Sequence, residues 1–526
     1  MNILTDILSL IKRKKFVSQA KSNDVLVLGI NEEPEIEGIA SPVPYKDVKL
    51  IKVSDFLSAG SVEAENVPIG ASEAGCFKDK VTDPVTGDIT LNFRRLKSLS
   101  LDLTITENGD YVEFDLEPDT GIWSIPNSVG RDIYYDTFQD ALDNANPGET
   151  VYLHTNVIET GAVTVGLKTG VNVNFNGFTY ILDEPSDINA IVDSVTGTTN
   201  IVLSNGIVQR KGALVNGTET DTLALYIQSV DSKITCENMI FTNNNGVACR
   251  VDGETRGIRG KGTIAGISCG TEPYLYDSIG FGVNTATGII ANSSAKFGAI
   301  YNCIGYSDSG DGIIASVIDV IGCKGYSGGL SGISYSVGTI IDSTGYSSRG
   351  IGLRGSRCIL TNCSGYSEDG LGSEAGIDLT NPTQVEACAG YGSNNSSGIK
   401  ISSTGVVTQM TVSNSSGYGQ NGLELIQDQT AGVASTVSTF LNCSFTSSNE
   451  AARIERTDPA KAEFMNCSFY TTSDISYCIN GVAGTPVDIK YANCSFKTGD
   501  TSVGTPLNNV NQTITNTTDN QGNTYI

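Results

Sequence analysis

One feature limits the fold of this chain more than any other: a dipeptide that returns at a fixed interval. Gly-Tyr occurs at Gly305-Tyr306, Gly325-Tyr326, Gly345-Tyr346 and Gly365-Tyr366, each 20 residues after the last. It continues at Gly390-Tyr391 and Gly417-Tyr418, after steps of 25 and 27 residues. A second register follows it, at Gly312-Ile313, Gly332-Ile333, Gly350-Ile351, Gly370-Leu371, Gly398-Ile399 and Gly422-Leu423. A third precedes it by two residues: Cys303, Cys323, Ser343, Cys363, Cys388 and Ser415. Three registers that move together define a structural repeat.

The length of the repeat selects the architecture. About twenty residues are too few for paired-helix repeats, which need more than about thirty. Leucine-rich repeats have the length but need a Leu and Asn pattern that this chain lacks. Glycine-rich coils of short strands fit a parallel β-helix, in which each coil lies about 4.8 Å above the last and equivalent residues form ladders. The Asn-Cys pairs at 302–303, 362–363, 442–443, 466–467 and 493–494 then read as a turn Asn followed by a small inward Cys. Stacked Asn side chains can hydrogen-bond between coils. Neighbouring cysteines on parallel strands aim their Cβ atoms poorly for disulfides, so a ladder of buried free thiols is expected.

The rest of the chain reads differently. Residues 1–24 place Leu4, Ile7, Leu8 and Ile11 at helical spacing, followed by the basic run from Lys12 to Lys15. Pro42 and Pro44 exclude a helix nearby. In LKSLSLDLTITENGDYVEFDLE, two alternating runs flank Asn108-Gly109, a hairpin signal. Residues 134–154 place Phe138, Ala141, Leu142 and Ala145 on one helical face, and Pro147-Gly148 stops the helix. A short helix there would cover the open edge of the first coil. The expected organisation is an N-terminal attachment segment (1–52), a small β module (53–125), the parallel β-helix (126–500) and a final coil or tail (501–526). The fold class is all-β: a right-handed parallel β-helical solenoid with small N-terminal β modules and a short helix feeding the first coil.

Composition removes several functions. The formal net charge of −25 argues against nucleic acid as a partner, because phosphates need a basic face. Thirteen cysteines form no Cys-x-x-Cys pair, and His154 is the single histidine. No Cys/His metal site is therefore expected, no cofactor is implied, and no Ser-His-Asp set is in view. The start, MNILTDILSLIKRKK, puts its basic residues after the apolar run and so does not read as a secretory signal. No stretch reads as a bilayer span, and no membrane insertion is expected. Cytoplasmic synthesis and reduced thiols follow as expectations.

These residues carry two resemblances. From FQDALDNANPGETVYL onward, the chain resembles pectin-lyase-like β-helix proteins. NFRRLKSLSLDLTITENGDYVEFDL resembles a β module of tailed-bacteriophage fibre and spike proteins. GINEEPEIEGIASPVPYKDVKLIKVSDF is similar to virion proteins of crAss-like phages. The resemblance implies a virion spike or fibre, attached to tail or capsid proteins through its N-terminal region. It further implies a homotrimer that binds a host surface polysaccharide and, in some members, cleaves it. The polygalacturonase Gly-His-Gly and Arg-Ile-Lys motifs are absent. Two rivals remain: a polysaccharide depolymerase, glycosidase or lyase, on the same scaffold, and a secreted bacterial polysaccharide lyase.

Sugar recognition needs carboxylates and planar donors, and glycoside hydrolysis needs two carboxyls. The turn between Gly-Tyr-Ser and Gly-Ile offers Asp308, Asp311, Arg349, Glu368 and Asp369 on one edge of the rod. Asp, Ser and Gly are equally the residues of ordinary solvated turns. CRVDGETRGIRGKG holds Arg250, Asp252, Glu254, Arg256, Arg259 and Lys261. Arg256 and Arg259 there are candidates to clamp an anionic sugar, or the run is a loop of mixed ion pairs. RIERTD, with Arg453, Glu455, Arg456 and Asp458, is a third and equally ambiguous cluster. The sequence assigns no catalytic residue.

Overall fold

In the computed structural model, residues 121–508 are described apart from longer turns (127–131, 212–221, 293–297, 370–373, 405–408, 429–436, 457–460, 473–477, 483–486, 500–506) and a few shorter ones. Outside that range only the paired strands named below are described. The chain divides into two units, residues 1–120 and 121–526. The first contains three antiparallel pairs: Asp24–Val27 with Lys49–Lys52, Phe77–Thr82 with Ile89–Phe93, and Leu103–Asn108 with Tyr111–Leu116. In the last pair Asn108 faces Tyr111, the antiparallel pairing that the Asn-Gly signal predicts. The helix expected within residues 1–24 and the basic run after it lie outside the described residues.

The second unit is a parallel β-solenoid. One coil shows the plan, with strands Ala299–Tyr301, Ile304–Ser307 and Ile313–Ser316. The next coil lies on them in parallel register, pairing Val320 with Ile300, Tyr326 with Tyr306 and Ile333 with Ile313. The three stacks are termed sheets A, B and C. Alternate residues point inward. Ile300, Val320, Ile340, Leu360, Val385 and Val412 fill sheet A's side of the core. Ile313, Ile333, Leu353, Ile377, Ile399 and Leu423 fill sheet C's side. Each such side chain, fully buried, contributes about 1.5–3 kcal/mol.

The two glycine registers have one cause. A Cβ on Gly305 would lie 2.0 Å from the Gly312 carbonyl oxygen, and one on Gly345 would lie 2.0 Å from that of Gly352. Sheet B therefore meets the start of sheet C backbone to backbone, which only glycine allows. This corrects the second register at two places. Leu353, not Ile351, pairs with Ile333, so Gly352 occupies the row. Ile377 follows Leu353, so Gly376 occupies it next, while Gly370-Leu371 lies outside the described residues. The Ser after the first four Gly-Tyr pairs (Ser307, Ser327, Ser347, Ser367) points inward and ties its coil to the turn of the coil before it: Ser327 Oγ donates to Gly310 O (2.6 Å) and Ser367 Oγ to Gly350 O (2.7 Å).

Between sheets A and B the chain turns through one left-handed residue, a conformation that Asn tolerates better than most side chains. Asn302, Asn362, Asn442, Asn466 and Asn493 have φ between 52° and 55°. Their amides form the expected ladder. Asn442 Nδ2 donates to Asn414 Oδ1 at 3.2 Å, Asn466 to Asn442 at 3.1 Å and Asn493 to Asn466 at 3.2 Å. The cysteine that follows points inward, as in Cys303, whose Sγ donates to Tyr301 O at 3.2 Å. The twelve cysteines among the described residues are all free and buried. Burial pushes the Cys269 thiol pKa up to about 12.

The rod begins before residue 126. Trp123–Pro126 pairs antiparallel with Asp132–Tyr135, and Trp123 faces Leu153 of the first coil. Helix α1 (Phe138–Asn144) is capped by Thr137, whose hydroxyl accepts from Asp140 N at 3.1 Å. It buries Phe138, Ala141 and Leu142, and Trp123 stacks on Phe138 with centroids 3.9 Å apart. His154 sits beside this cap, its Nε2 2.7 Å from Ser124 Oγ. At the far end, parallel pairing continues to Ser495↔Thr518, and Thr517–Thr518 pairs antiparallel with Thr524–Tyr525. Among the described residues, no helix is long and apolar enough to cross a membrane.

Candidate functional site

Sheet B projects one row of side chains outward through the middle of the rod. Lys261, Phe281, Tyr306, Tyr326, Tyr346, Tyr366, Tyr391 and Tyr418 are register partners in succession. Tyr306, Tyr366, Tyr391 and Tyr418 are 37%, 38%, 39% and 54% exposed, a large apolar area to leave in water. The row continues as Thr446, Tyr470 and Lys497, with the Lys497 ammonium 5.2 Å from the Tyr470 ring centroid. Pairing forces the rings together: Phe281–Tyr306 at 5.3 Å, Tyr306–Tyr326 at 4.8 Å and Tyr366–Tyr391 at 4.8 Å, all within 10° of parallel. The stack breaks at Tyr346. Its ring is 6.2 Å from Tyr326 and tilted by 48°, and its hydroxyl donates to the Glu368 carboxylate of the next coil. That bond, more than burial, pushes the Tyr346 pKa up to about 12.

The turn from sheet B to sheet C runs beside this row and carries the acidic residues singled out in the sequence. Gly328 N donates to Ser307 O, Ser348 N to Ser327 O and Glu368 N to Ser347 O, so Asp308, Gly328, Ser348 and Glu368 form one file. Asp369 N donates to Ser348 O, which sets Asp369 on Arg349 in the next file. Asp308, Arg349, Glu368 and Asp369 are exposed. Asp308 Oδ2 accepts from Asn284 N at 3.0 Å. Asp311 differs from the others. It is half-buried, and its Oδ1 accepts from Ser331 N at 2.9 Å, which staples two coils together. Burial raises its pKa, opposed by the Ser331 hydrogen bonds and by Arg354.

The basic cluster at 250–261 is one whole coil rather than a loop. Arg250 lies on sheet C, 3.6 Å from Asp252 and over the Tyr226 ring. Arg256 lies on sheet A, 5.0 Å from the Tyr276 ring centroid. Arg259 and Lys261 lie on sheet B. The three strands send these charges to three faces, so Arg256 and Arg259 do not converge. Arg256 instead lines an open hollow of about 390 Å³ on sheet A with Lys233, Glu254 and Asn172.

Sheet C holds a row that sequence reading missed. Arg354, Asp378, Lys400, Glu424 and Arg453 are successive register partners, alternating in charge. Lys400 Nζ lies 3.7 Å from Glu424, with both side chains only about 15% exposed (16% and 15%). Ser397 Oγ donates to Glu424 at 2.8 Å. Burial raises the Asp378 pKa against the opposing pull of Lys400 and Arg354. Arg453 also pairs with Glu455; Asp458 lies outside the described residues. No group of His, Cys, Asp and Glu among the described residues is placed to hold a metal.

No family model matches this chain, and no curated protein matches it. Three solved structures are similar to parts of it. The mannuronan C-5 epimerase AlgE4 A-module of Azotobacter vinelandii matches at 15% identity and TM-score 0.27, over 72% of this chain and 91% of that one. PfbA, a surface adhesin of Streptococcus pneumoniae, matches at 11% identity and TM-score 0.22, over 74% and 91%. ORF18 of Geobacillus virus E2 matches at 13% identity and TM-score 0.17, over 68% of this chain and 54% of that one. At those scores no activity is transferred.

Proposed function

We propose that this chain is a virion spike or fibre that binds a host surface polysaccharide along sheet B, attaches through its N-terminal region and works as a homotrimer. The observation that carries the glycan reading is the outward aromatic row from Phe281 to Tyr418 beside the edge of Asp308, Arg349, Glu368 and Asp369. Aromatic rings offer apolar faces with a polar handle, and carboxylates and guanidinium groups offer the acceptors and donors that sugar hydroxyls need. Attachment, trimer and particle rest on the resemblance of the N-terminal segments. Two measurements test this reading. Soluble full-length chain should compete with virions for adsorption to host cells, and electron microscopy of the particle should locate it as a projecting rod. A chain that blocks no adsorption and is missing from purified particles defeats the proposal.

Sheet C favours a second reading, a depolymerase on the same rod. Asp378 and Glu424 stand two coils apart. At about 4.8 Å per coil this is comparable with the roughly 6.5–9.5 Å between carboxyls of inverting glycosidases. A raised Asp378 and a Glu424 held by Lys400 would suit an acid and a base. Release of new reducing ends from the bound polysaccharide, lost in Asp378→Asn, supports this reading. Binding without release rejects it.

A further inference from the structure

We infer that the hollow on sheet A, bordered by Lys233 and Arg256, is a subsite for a carboxylated sugar unit, a uronate, of a polysaccharide. This rests on the reading that the rod binds polysaccharide, and it adds a second face and a sugar class. The ladder itself builds the hollow. The outward row of sheet A runs Val202, Thr235, Arg256, Tyr276 and Tyr301 in parallel register. Val202 and Thr235 are short and form the floor; Arg256, on the next coil, is long and forms a wall. Lys233 and Glu254, register partners in the row two residues away, close one side. Asn172 closes the end beyond Val202. Its Oδ1 accepts from Val202 N at 2.9 Å, which leaves its Nδ2 group as the donor at the rim. The hollow of about 390 Å³ falls within the roughly 300–1,000 Å³ of small-ligand sites.

The chemistry of the lining selects the ligand. Arg256 lies over the Tyr276 ring, 5.0 Å from its centroid, and Tyr276 stacks on Tyr301 at 4.9 Å, 5° from parallel. A stacked ring pair thus holds the guanidinium in place. Among the described residues the Arg256 side chain makes no hydrogen bond and no ion pair. On a chain with 58 Asp and Glu against 33 Lys and Arg, a positioned guanidinium without a carboxylate is a donor fork ready for one. Lys233 is its diagonal neighbour, roughly 7–8 Å away at Cα, so both cations reach a single carboxylate. The bond of Lys233 to Glu254, 3.4 Å, is largely solvated and yields cheaply to a ligand. Glu254 then accepts from sugar hydroxyls, and the Asn172 amide donates to them. Two cations against one carboxylate leave a surplus of one positive charge. A uronate matches that surplus, whereas a phosphate monoester, at about −1.5 to −2, exceeds it. Glu237, the next outward residue after Thr235, is exposed and bounds the positive patch on that side.

The test uses purified full-length chain on an array of bacterial polysaccharides that contain glucuronate or galacturonate. The same polymers are printed again after reduction of their carboxyl groups to alcohols. Reduction should weaken binding at least about tenfold, the loss expected when charged hydrogen bonds are removed. Arg256→Gln should cost uronate binding a similar factor and leave the reduced polymers unaffected. Arg256→Lys, which keeps the charge and loses the fork, should recover part of that loss. Lys233→Gln should weaken uronate binding less than Arg256→Gln does. Arg259→Gln, in the same coil but on sheet B, should change it less than about twofold, as for a surface charge outside a contact. Arg256 and Lys233 are exposed, so these variants should melt with the parent. Binding that ignores carboxyl reduction or Arg256→Gln overturns the subsite while sparing the glycan reading, and so does equal binding of polyglutamate or of a phosphorylated polysaccharide. No binding to any polysaccharide overturns both.

Discussion

Two stretches of the same rod solve one packing problem in opposite ways. From Gly305 to Gly417, sheet B turns a glycine inward and an aromatic outward. From Phe445 to Phe496 it turns an aromatic inward instead. Phe445, Phe469 and Phe496 take the inward position that Gly417 holds, and the outward row becomes Thr446, Tyr470 and Lys497, with one tyrosine among the three. Of the inserted rings, Phe445 lies tilted on Phe469 at 5.7 Å and Phe469 stacks on Phe496 at 5.2 Å; Phe469 and Phe496 pack edge-on against Phe464 and Tyr491 of sheet A. The glycine-lined coils are thin where sheets B and C touch; the phenylalanine-lined coils are held apart there by rings. Both continue the same parallel ladder, so the fold does not require tyrosines on the surface. Their concentration on the glycine-lined stretch is what calls for a role outside stability.

The comparison breaks first at its phenylalanine side. Phe469→Ala removes a ring that is 1% exposed and touches Phe445, Phe464 and Phe496. The expected loss is about 3–5 kcal/mol, read as a fall in the urea midpoint. A loss below about 1 kcal/mol would show that the coils there collapse onto each other and that the rings are not the spacer. The glycine side should respond to addition rather than removal. Gly345→Ala puts a methyl 2.0 Å from the Gly352 oxygen. Neither backbone can yield without moving a sheet, so the expected cost is about 1–3 kcal/mol. The same substitution at Gly177, where nothing lies within 4 Å but φ is +83°, separates crowding from backbone strain.

Asn362→Ala probes a feature common to both stretches. Asn362 turns through φ 53° and donates to Asp342 at 2.6 Å. Loss of left-handed tolerance costs roughly 1–2 kcal/mol, and the hydrogen bond is exposed and adds little. Ala387 already occupies the equivalent turn at φ 52°, so one alanine is tolerated within the whole rod. An unchanged midpoint in Asn362→Ala would mean that the ladder, not the residue, carries the conformation.

These contrasts also explain what could be read from sequence. The Gly-Tyr row and the Asn-Cys turns were legible because each is imposed by a single backbone constraint that admits few residue types. Gly350 matches the spacing as well as Gly352 does, because it serves the turn tied by Ser347, whose Oγ accepts from Gly350 N at 2.8 Å. Spacing alone cannot tell a turn glycine from a contact glycine. The charged row on sheet C was illegible because the turns between its members differ in length. Arg354, Asp378, Lys400, Glu424 and Arg453 are separated by 24, 22, 24 and 29 residues. Only the ladder restores their register. The coil at 250–261 read as a loop because its strands are three to five residues long, too short for alternation to show.

The smallest expected effect concerns that charged row, and pH reveals it. Asp378 has its pKa raised above the ordinary 3.8, chiefly by burial. The folded state therefore binds its proton more tightly than the unfolded chain does. For a raised carboxylate the associated stability is fully present below the unfolded pKa and is lost as pH rises through the folded one. Ionisation of Asp378 should thus cost the rod stability above about pH 4. Asp378→Asn removes that cost but also removes the attraction of Lys400 and Arg354, which opposes the shift without overcoming it. The variant should match the parent at pH 3 and exceed it at pH 7. Paired melting scans at the two pH values decide the sign. A variant less stable than the parent at pH 7 would show that the alternating charges hold sheet C together. In that case Asp378 would be a carboxylate by default, and the acid role suggested for it would lose its footing.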